Sequence, residues 1–485
     1  MNRQIRRLGV FLMLCFVGLF VQLNYVQVLR AHDLNTKPGN SRPIDQAFSR
    51  PRGTVSTADG TVIARSVPSG DQYKYQRTFP EKDLFGFVTG YFNFSFGATG
   101  LEASYNSELS GRTTGQQIRS LSDLFVDHDH TGNLKLTLRK DVQEVARQQL
   151  GNRKGSVVAL NPKTGAVLAF WSFPSFDPNA LSTHGKSASG AKSLLEAIPD
   201  KPLLPRMYRE TFFPGSTFKV VTGSVGVQTG TVTQTQPVYP TVTSYTPPQT
   251  NRPLRNFGGE VCGGVLFDIL AKSCNSSFAK MGVDIGPAKM IAGVEAFGFN
   301  AKPPIDLPAA ATSRFPTDFD QNLPALAQSA IGQNSVSATP LQMALVASAV
   351  VNGGRIMAPH LLDEIRDGDG NLVRRPRPTV WKPSITPQTA DVMHQAMIQV
   401  VQRGTATRMA IPGFEVGGKT GTAQTSSNPP TSHAWIIGWA GPPGDAKVAI
   451  AVIVERQSGE SEATGGRVAA PIAQAVMAKI LQVQG

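Results

Sequence analysis

The stretch Phe212-Phe213-Pro214-Gly215-Ser216-Thr217-Phe218-Lys219-Val220-Val221 decides how this chain is read. Pro214-Gly215 breaks whatever precedes it, and serine is well suited to begin a helix. On such a helix positions i and i+3 share a face, so Ser216 Oγ and Lys219 Nζ can meet. The partial positive charge of a helix N-terminus favours an oxyanion near Ser216 and disfavours an ammonium at Lys219. Both effects ease deprotonation of the serine by a neutral lysine. That is the physical content of an S-x-x-K nucleophile.

Alone the motif is unspecific. Ser189 to Lys192 and Ser277 to Lys280 match it too, and any one match is equally a helix cap beside a solvated lysine. Two further motifs lie downstream. Ser273-Cys274-Asn275 gives S-x-N, and Lys419-Thr420-Gly421-Thr422 gives K-T-G-T on a strand entered through Gly417-Gly418. Each has decoys: Ser104-Tyr105-Asn106 and Ser426-Ser427-Asn428 for the first, Lys163-Thr164-Gly165 for the second. The order S-x-x-K, S-x-N, K-T-G leaves Ser189 or Ser216 as nucleophile, with Ser273 and Lys419. Ser189 sits in a Ser/Gly/Ala loop without a Pro-Gly break, which selects Ser216.

The three sets divide the work of serine acyl transfer. Ser216 attacks a carbonyl and Lys219 takes its proton. A lysine with a free pKa of ~10.4 must fall to ~7–8 for this, roughly 3–5 kcal/mol at ~1.36 per unit. Burial, the helix N-terminus and a second cation at Lys419 push that way. Ser273 is placed to pass the proton to a leaving amine, and Asn275 to hold Lys219 and a substrate amide. Lys419 offers charge to a substrate carboxylate, with Thr420 and Thr422 as hydroxyl donors. Gly421 admits a substrate backbone beside the strand. The backbone N–H groups of Ser216 and Thr422 form the expected oxyanion hole.

The rest of the chain gives these motifs a setting. Its 485 residues suffice for two or more domains, and 40% hydrophobic with 17% charged residues is a globular composition. With 47 basic and 34 acidic residues the net charge is +13. No zinc-finger spacing or RNA-binding aromatic signature accompanies it, so an anionic envelope surface fits better than nucleic acid, and a merely solvated basic surface fits equally well. Leu8 to Leu29 is a nearly unbroken apolar run, close to the ~20 residues that cross a bilayer. Arg3, Arg6 and Arg7 precede it, which keeps the N-terminus in the cytoplasm and sends the remainder outside. No short apolar core with a small-residue cleavage site is present, so an uncleaved anchor is expected over residues 1–30. Cys15 lies in it; Cys262 and Cys274 lie beyond, where oxidation is permitted, and whether they bond is open at this level.

Residues 31 to about 52 read as a polar, proline-containing linker. Gly53 to Ala64 reads as two short strands around Asp59-Gly60, and Gly97 to Glu102 leads into a helical pattern ending near Gly111. Residues 31–134 therefore form a small irregular module. Asp127-His128-Asp129-His130 resembles a metal cluster, but no further histidines complete it and Gly132-Asn133 is turn chemistry; it reads as a polar linker, and no metal is expected. A second module, 135–485, begins with a helix from Asp141 to Leu150. Strands Ser156–Leu160 and Ala166–Trp171 follow, joined by the turn Asn161 to Gly165. Helical patterns surround residues 216–228, 264–282 and 340–351. Strands Phe414–Gly421, Trp435–Ala440 and Val448–Val454 precede a closing helix from Val468 to Leu481. Strands at both ends with helices between imply an α+β domain, one sheet built from both ends and covered by helices.

The three motifs in this order resemble the penicilloyl serine transferases, and the anchor and leading module narrow the likeness to class B penicillin-binding proteins. Arg52-Gly53 with Asp59-Gly60, Gly97 to Glu102, Leu160 to Gly165, Phe173 to Asn179, Gly332-Gln333 with Thr339 to Ala344, and His433-Ala434-Trp435 agree with it. The chain is most similar to the short actinobacterial members. The resemblance implies a β-lactamase/transpeptidase-like fold with a mainly antiparallel sheet. It also implies a D,D-transpeptidase that joins peptidoglycan stem peptides through Ser216 and is acylated by β-lactams. It implies no cofactor, and a polytopic shape or division glycan polymerase as partner. A D,D-carboxypeptidase, a β-lactamase and a β-lactam-binding scaffold or sensor are the alternatives; a Ser-His-Asp hydrolase is disfavoured because no G-x-S-x-G occurs.

Overall fold

A computed structural model describes residues 2–30, 48–112, 131–319, 321–427, 430–458 and 465–484. Most of the expected linker, all of Asp127 to His130, and Asn428 lie outside the described residues.

The chain divides into two units. The first comprises Met1–Pro51 and Val67–Gln76. Its main element is the helix Asn2–Asn24, which runs on into a wider turn at Tyr25–Leu29. From Arg3 to Asn24 the helix has a mean hydropathy of 1.8 in its most apolar window and buries none of it. An exposed apolar surface of this length suits a hydrocarbon environment, consistent with a single-pass membrane anchor.

The second unit, Arg52–Ser66 and Arg77–Gly485, is built on a five-stranded antiparallel sheet in the order Glu415–Ser427, Pro430–Gly441, Val448–Ser458, Gly155–Leu160, Val167–Phe173. The expected construction from both ends of the module is present. One row across the sheet runs Lys419, Ile437, Ala451, Val158, Phe170. The middle strand is buried from Val448 to Val454, so its continuous apolar run is that of a strand covered on both faces. Helix Pro340–Val351, begun by the Thr339 side chain accepting from the Gln342 amide, is buried from Pro340 to Val350 and packs on the sheet. Helix Ala470–Gln484 packs with Lys140–Leu150 and against Val448–Ser458.

The helical pattern over 264–282 is two helices: Leu266–Ala271 ends before Ser273, whose φ is +62°, and Asn275–Ile285 begins a new one, so Ser273-Cys274-Asn275 lies after one helical run and before another. The strand expected to end at Gly421 continues to Ser427. Residue 134 also falls inside a strand, Asn133–Leu136, that pairs in parallel with Val55–Ser56 and antiparallel with Leu362–Arg366. The expected two strands around Asp59-Gly60 are Val55–Ser56 and Val62–Pro68, and Gly60 has φ +82° at their turn.

Within this unit Arg52 and Arg77 close on the buried Glu102 carboxylate at 2.8 and 2.6 Å. Burial alone would raise that carboxyl, but Arg77 and Arg52 outweigh it and hold Glu102 below its ordinary value. The Arg52 guanidinium also lies 3.9 Å from the centre of the Phe92 ring.

Candidate active site

Ser216 stands in a tight 3₁₀ turn, Gly215–Phe218, that feeds helix Lys219–Gln228. It therefore does not cap a helix as its sequence setting implied; the turn is held from outside. The Gly215 amide donates to the Gly332 carbonyl at 3.0 Å, and Gly215 has φ +52°. A Cβ there would lie 2.6 Å from the Thr422 carbonyl, so only glycine lets the turn press against the K-T-G-T strand. Upstream, Phe212 packs edge-on against His433 and Trp435, and Trp435 Nε1 donates to the Phe213 carbonyl at 3.1 Å. Gly332, His433 and Trp435 thus brace the turn that carries Ser216.

The three motifs meet. Lys219 Nζ lies 2.9 Å from Ser216 Oγ, 2.7 Å from the Ser273 carbonyl, 3.2 Å from Ser273 Oγ and 2.6 Å from Asn275 Oδ1. Lys419 Nζ donates to Ser273 Oγ at 2.8 Å and to the Thr420 carbonyl at 2.8 Å. Both lysines are fully buried. The left-handed backbone at Ser273 is what turns its carbonyl and hydroxyl toward Lys219 together. The orientation of Asn275 is fixed because its Nδ2 donates to the Arg255 carbonyl at 3.1 Å, leaving Oδ1 for the lysine. Cys274, the middle residue of S-x-N, is joined to Cys262 by a disulfide with a Cα separation of 5.8 Å.

Those contacts have a consequence for the proton. The Ser273 carbonyl and Asn275 Oδ1 can only accept. A neutral amine would give its two N–H bonds to these acceptors and leave its one lone pair for a single hydroxyl, Ser216 Oγ at 2.9 Å. The constellation is suited to a neutral lysine that receives the Ser216 proton.

One expected site residue is placed differently. Thr420 is fully buried and its hydroxyl bonds that of Thr405, so it supports the strand rather than lining the cavity. Gly421 makes room for the Ser216 turn: a Cβ there would lie 2.8 Å from Thr217 Cγ2 and 3.0 Å from the Pro214 carbonyl. Thr422, half-buried, does line the cavity beside Ser216.

That cavity measures about 510 Å³. Besides Ser216, Asn275 and Thr422 it is lined by Leu254 to Gly258, Gln328, Ile331, Gln333 and Ser432. Of these only Gln333 belonged to a stretch singled out from sequence. Nothing in the local pattern marks the 254–258 segment, which reaches the site by tertiary packing: Asn256 Oδ1 accepts from the Ser276 amide at 2.8 Å. The other S-x-x-K matches are elsewhere. Ser189 is exposed while Lys192 pairs with Glu196, and Lys280 pairs with Asp284 at 2.7 Å. Lys163 pairs with Asp445.

Known proteins resemble this chain over nearly its whole length. The family models for the penicillin binding protein transpeptidase domain and the penicillin binding protein A dimerisation domain match residues 155–478 and 52–134. The peptidoglycan D,D-transpeptidase PbpA of Mycolicibacterium smegmatis is 37% identical over 99% of both chains. That of Mycobacterium tuberculosis is 34% identical over the same shares. Among solved structures, the imipenem acyl-enzyme complex of penicillin-binding protein A from M. tuberculosis superposes with a TM-score of 0.82 at 32% identity, covering 90% of this chain and 100% of that one.

Proposed function

The chain belongs to the class B penicillin-binding proteins and is a peptidoglycan D,D-transpeptidase; from that premise we propose how its residues carry the reaction. Ser216 Oγ attacks the carbonyl of the penultimate D-alanine of one stem peptide, and the hydroxyl proton passes to Lys219. Negative charge on the carbonyl oxygen falls between the backbone N–H groups of Ser216 and Thr422. The C–N bond to the last D-alanine breaks, and Ser273 relays the proton from Lys219 to the departing amine. An amine of a neighbouring stem then attacks the ester, and Ser216 recovers its proton as the new peptide bond forms. Lys419 polarises Ser273 and faces the terminal carboxylate of the donor, with Thr422 as hydroxyl donor and Thr420 holding the strand. A β-lactam ring opens on the same oxygen and stays bound as an ester.

The observation that supports this most is the sharing of Ser273 Oγ by the two lysines, with Ser216 Oγ 2.9 Å from one of them. Residues 1–30 act as an anchor with its N-terminus inside, 31–134 as a non-catalytic pedestal and 135–485 as the transpeptidase domain, outside the membrane. A polytopic glycan polymerase is the partner, supplying the strands that this chain joins. Treatment with fluorescent penicillin followed by mass spectrometry tests the assignment: the adduct is expected on the peptide carrying Ser216, and Ser216→Ala abolishes labelling. An adduct on another side chain would overturn it.

A further inference from the structure

The catalytic cavity contains a cation that the reaction described above does not use. Arg255 lies on a short strand, Leu254–Arg255, paired antiparallel with Ser244–Tyr245. Its backbone is fastened to the S-x-N motif, because its carbonyl accepts from Asn275 Nδ2 and the next residue, Asn256, holds the Ser276 amide. Its side chain is exposed and lines the cavity with Ser216 and Thr422. Among the lining residues Arg255 alone carries a charge, and among the described residues no acidic side chain pairs with it. An exposed guanidinium that lines a reaction cavity is a ready receptor for a planar anion.

We propose that Arg255 is a specificity-determining residue for the acyl donor, receiving a carboxylate that the stem peptide carries upstream of the scissile bond. This rests on the acyl-donor reading above. A stem peptide presents two kinds of anion, its C-terminal carboxylate and any side-chain carboxylate before the D-alanyl pair. The first lies next to the bond that breaks. It belongs to Lys419, which reaches the nucleophile through Ser273 and Lys219. Arg255 enters the catalytic network only through its main chain, at Asn275, so its guanidinium stands farther out and meets the second. A carboxamide at that place on the stem would leave the cation unmatched.

The test uses the full-length protein and two thioester acyl donors with a C-terminal carboxylate. They differ only in whether the residue before the D-alanyl unit bears a carboxylate or a carboxamide. Acylation of Ser216 is followed by mass spectrometry. At low salt the carboxylate donor is expected to react about 5–30-fold faster, the range of an exposed to a charge-assisted contact. The ratio falls toward one in Arg255→Gln, is partly kept in Arg255→Lys, and persists in Arg252→Gln, an exposed arginine of the same hairpin that does not line the cavity. A ratio near one in the unaltered protein, or one that survives Arg255→Gln, overturns the proposal and leaves the acyl-enzyme intact. Absence of a Ser216 adduct from both donors would overturn the acyl-enzyme reading and this one with it.

Discussion

Two buried polar clusters in this protein differ in one respect that separates a structural site from a reactive one. Around Glu102, two guanidiniums close on one carboxylate, and all three side chains are buried. Around Lys219, the partners are hydroxyls, a carbonyl and an amide oxygen, and the cluster opens through Ser216 and Asn275 onto a cavity of about 510 Å³. The first cluster fixes every charge in a pair. The second surrounds an amine with neutral acceptors, which leaves its protonation state free to change during a reaction. Burial is the same in both; what distinguishes them is whether the counter-charge is built in.

The contrast is open to direct attack. The largest effect is expected from Lys219→Met, which removes the proposed base: acylation by fluorescent penicillin should fall by about 10²–10⁴-fold. Stability to urea should be unchanged or higher, since an apolar chain of similar length replaces a buried amine. Glu102→Gln should do the reverse. It leaves two buried guanidiniums without their carboxylate, a loss of about 3–5 kcal/mol in urea unfolding at neutral pH, while protein that remains folded is still acylated. If the two substitutions cost the same stability, the distinction between the clusters fails.

A smaller, pH-dependent effect is expected at His433, between these extremes. Burial, then the charges of Arg456 and Lys154, pulls its imidazole down to about 4. Its Nδ1 accepts from the Arg456 amide at 3.2 Å, and its ring packs on Phe212 at the entry to the nucleophile turn. A histidine with a lowered folded pKa contributes full stability above its unfolded value near ~6.5, and that contribution is lost as pH falls toward 4. Unfolding free energy should therefore decline over that window by up to about 3 kcal/mol. His433→Gln should flatten the decline; an unaltered pH profile in that variant would show that His433 does not titrate as its burial implies.

Much of the site was legible because its signals are local or ordered. Ser216 and Lys219 are one helical turn apart, and the order of three short motifs removed every decoy but one. The sequence reads Ser189 as a loop residue, excluded by its missing Pro-Gly break; in the structure it is exposed and lies in the helix Ser187–Ala197. The apolar anchor, the hairpin at Asn161 to Gly165 and the sheet drawn from both ends of the module were equally readable, since each rests on periodicity or turn chemistry. The readings that changed were those about direction. Thr420 and Gly421 sit in the motif as expected, but which neighbour each faces depends on Thr405, Thr217 and Pro214, which come from distant parts of the chain.

Sequence by itself determined the chemistry available here: a hydroxyl and an amine at helical spacing, a second amine on a strand, and an apolar segment long enough to cross a bilayer. These follow from residue type and short-range geometry, where the backbone has few choices. Only the tertiary structure decided the left-handed break at Ser273 that aims two oxygens at Lys219, the pairing of Arg52 and Arg77 on Glu102, and the arrival of Arg255 at the cavity wall. Each depends on segments far apart in the chain being brought into contact by burial of a common core, a cooperative outcome that no local window of residues encodes.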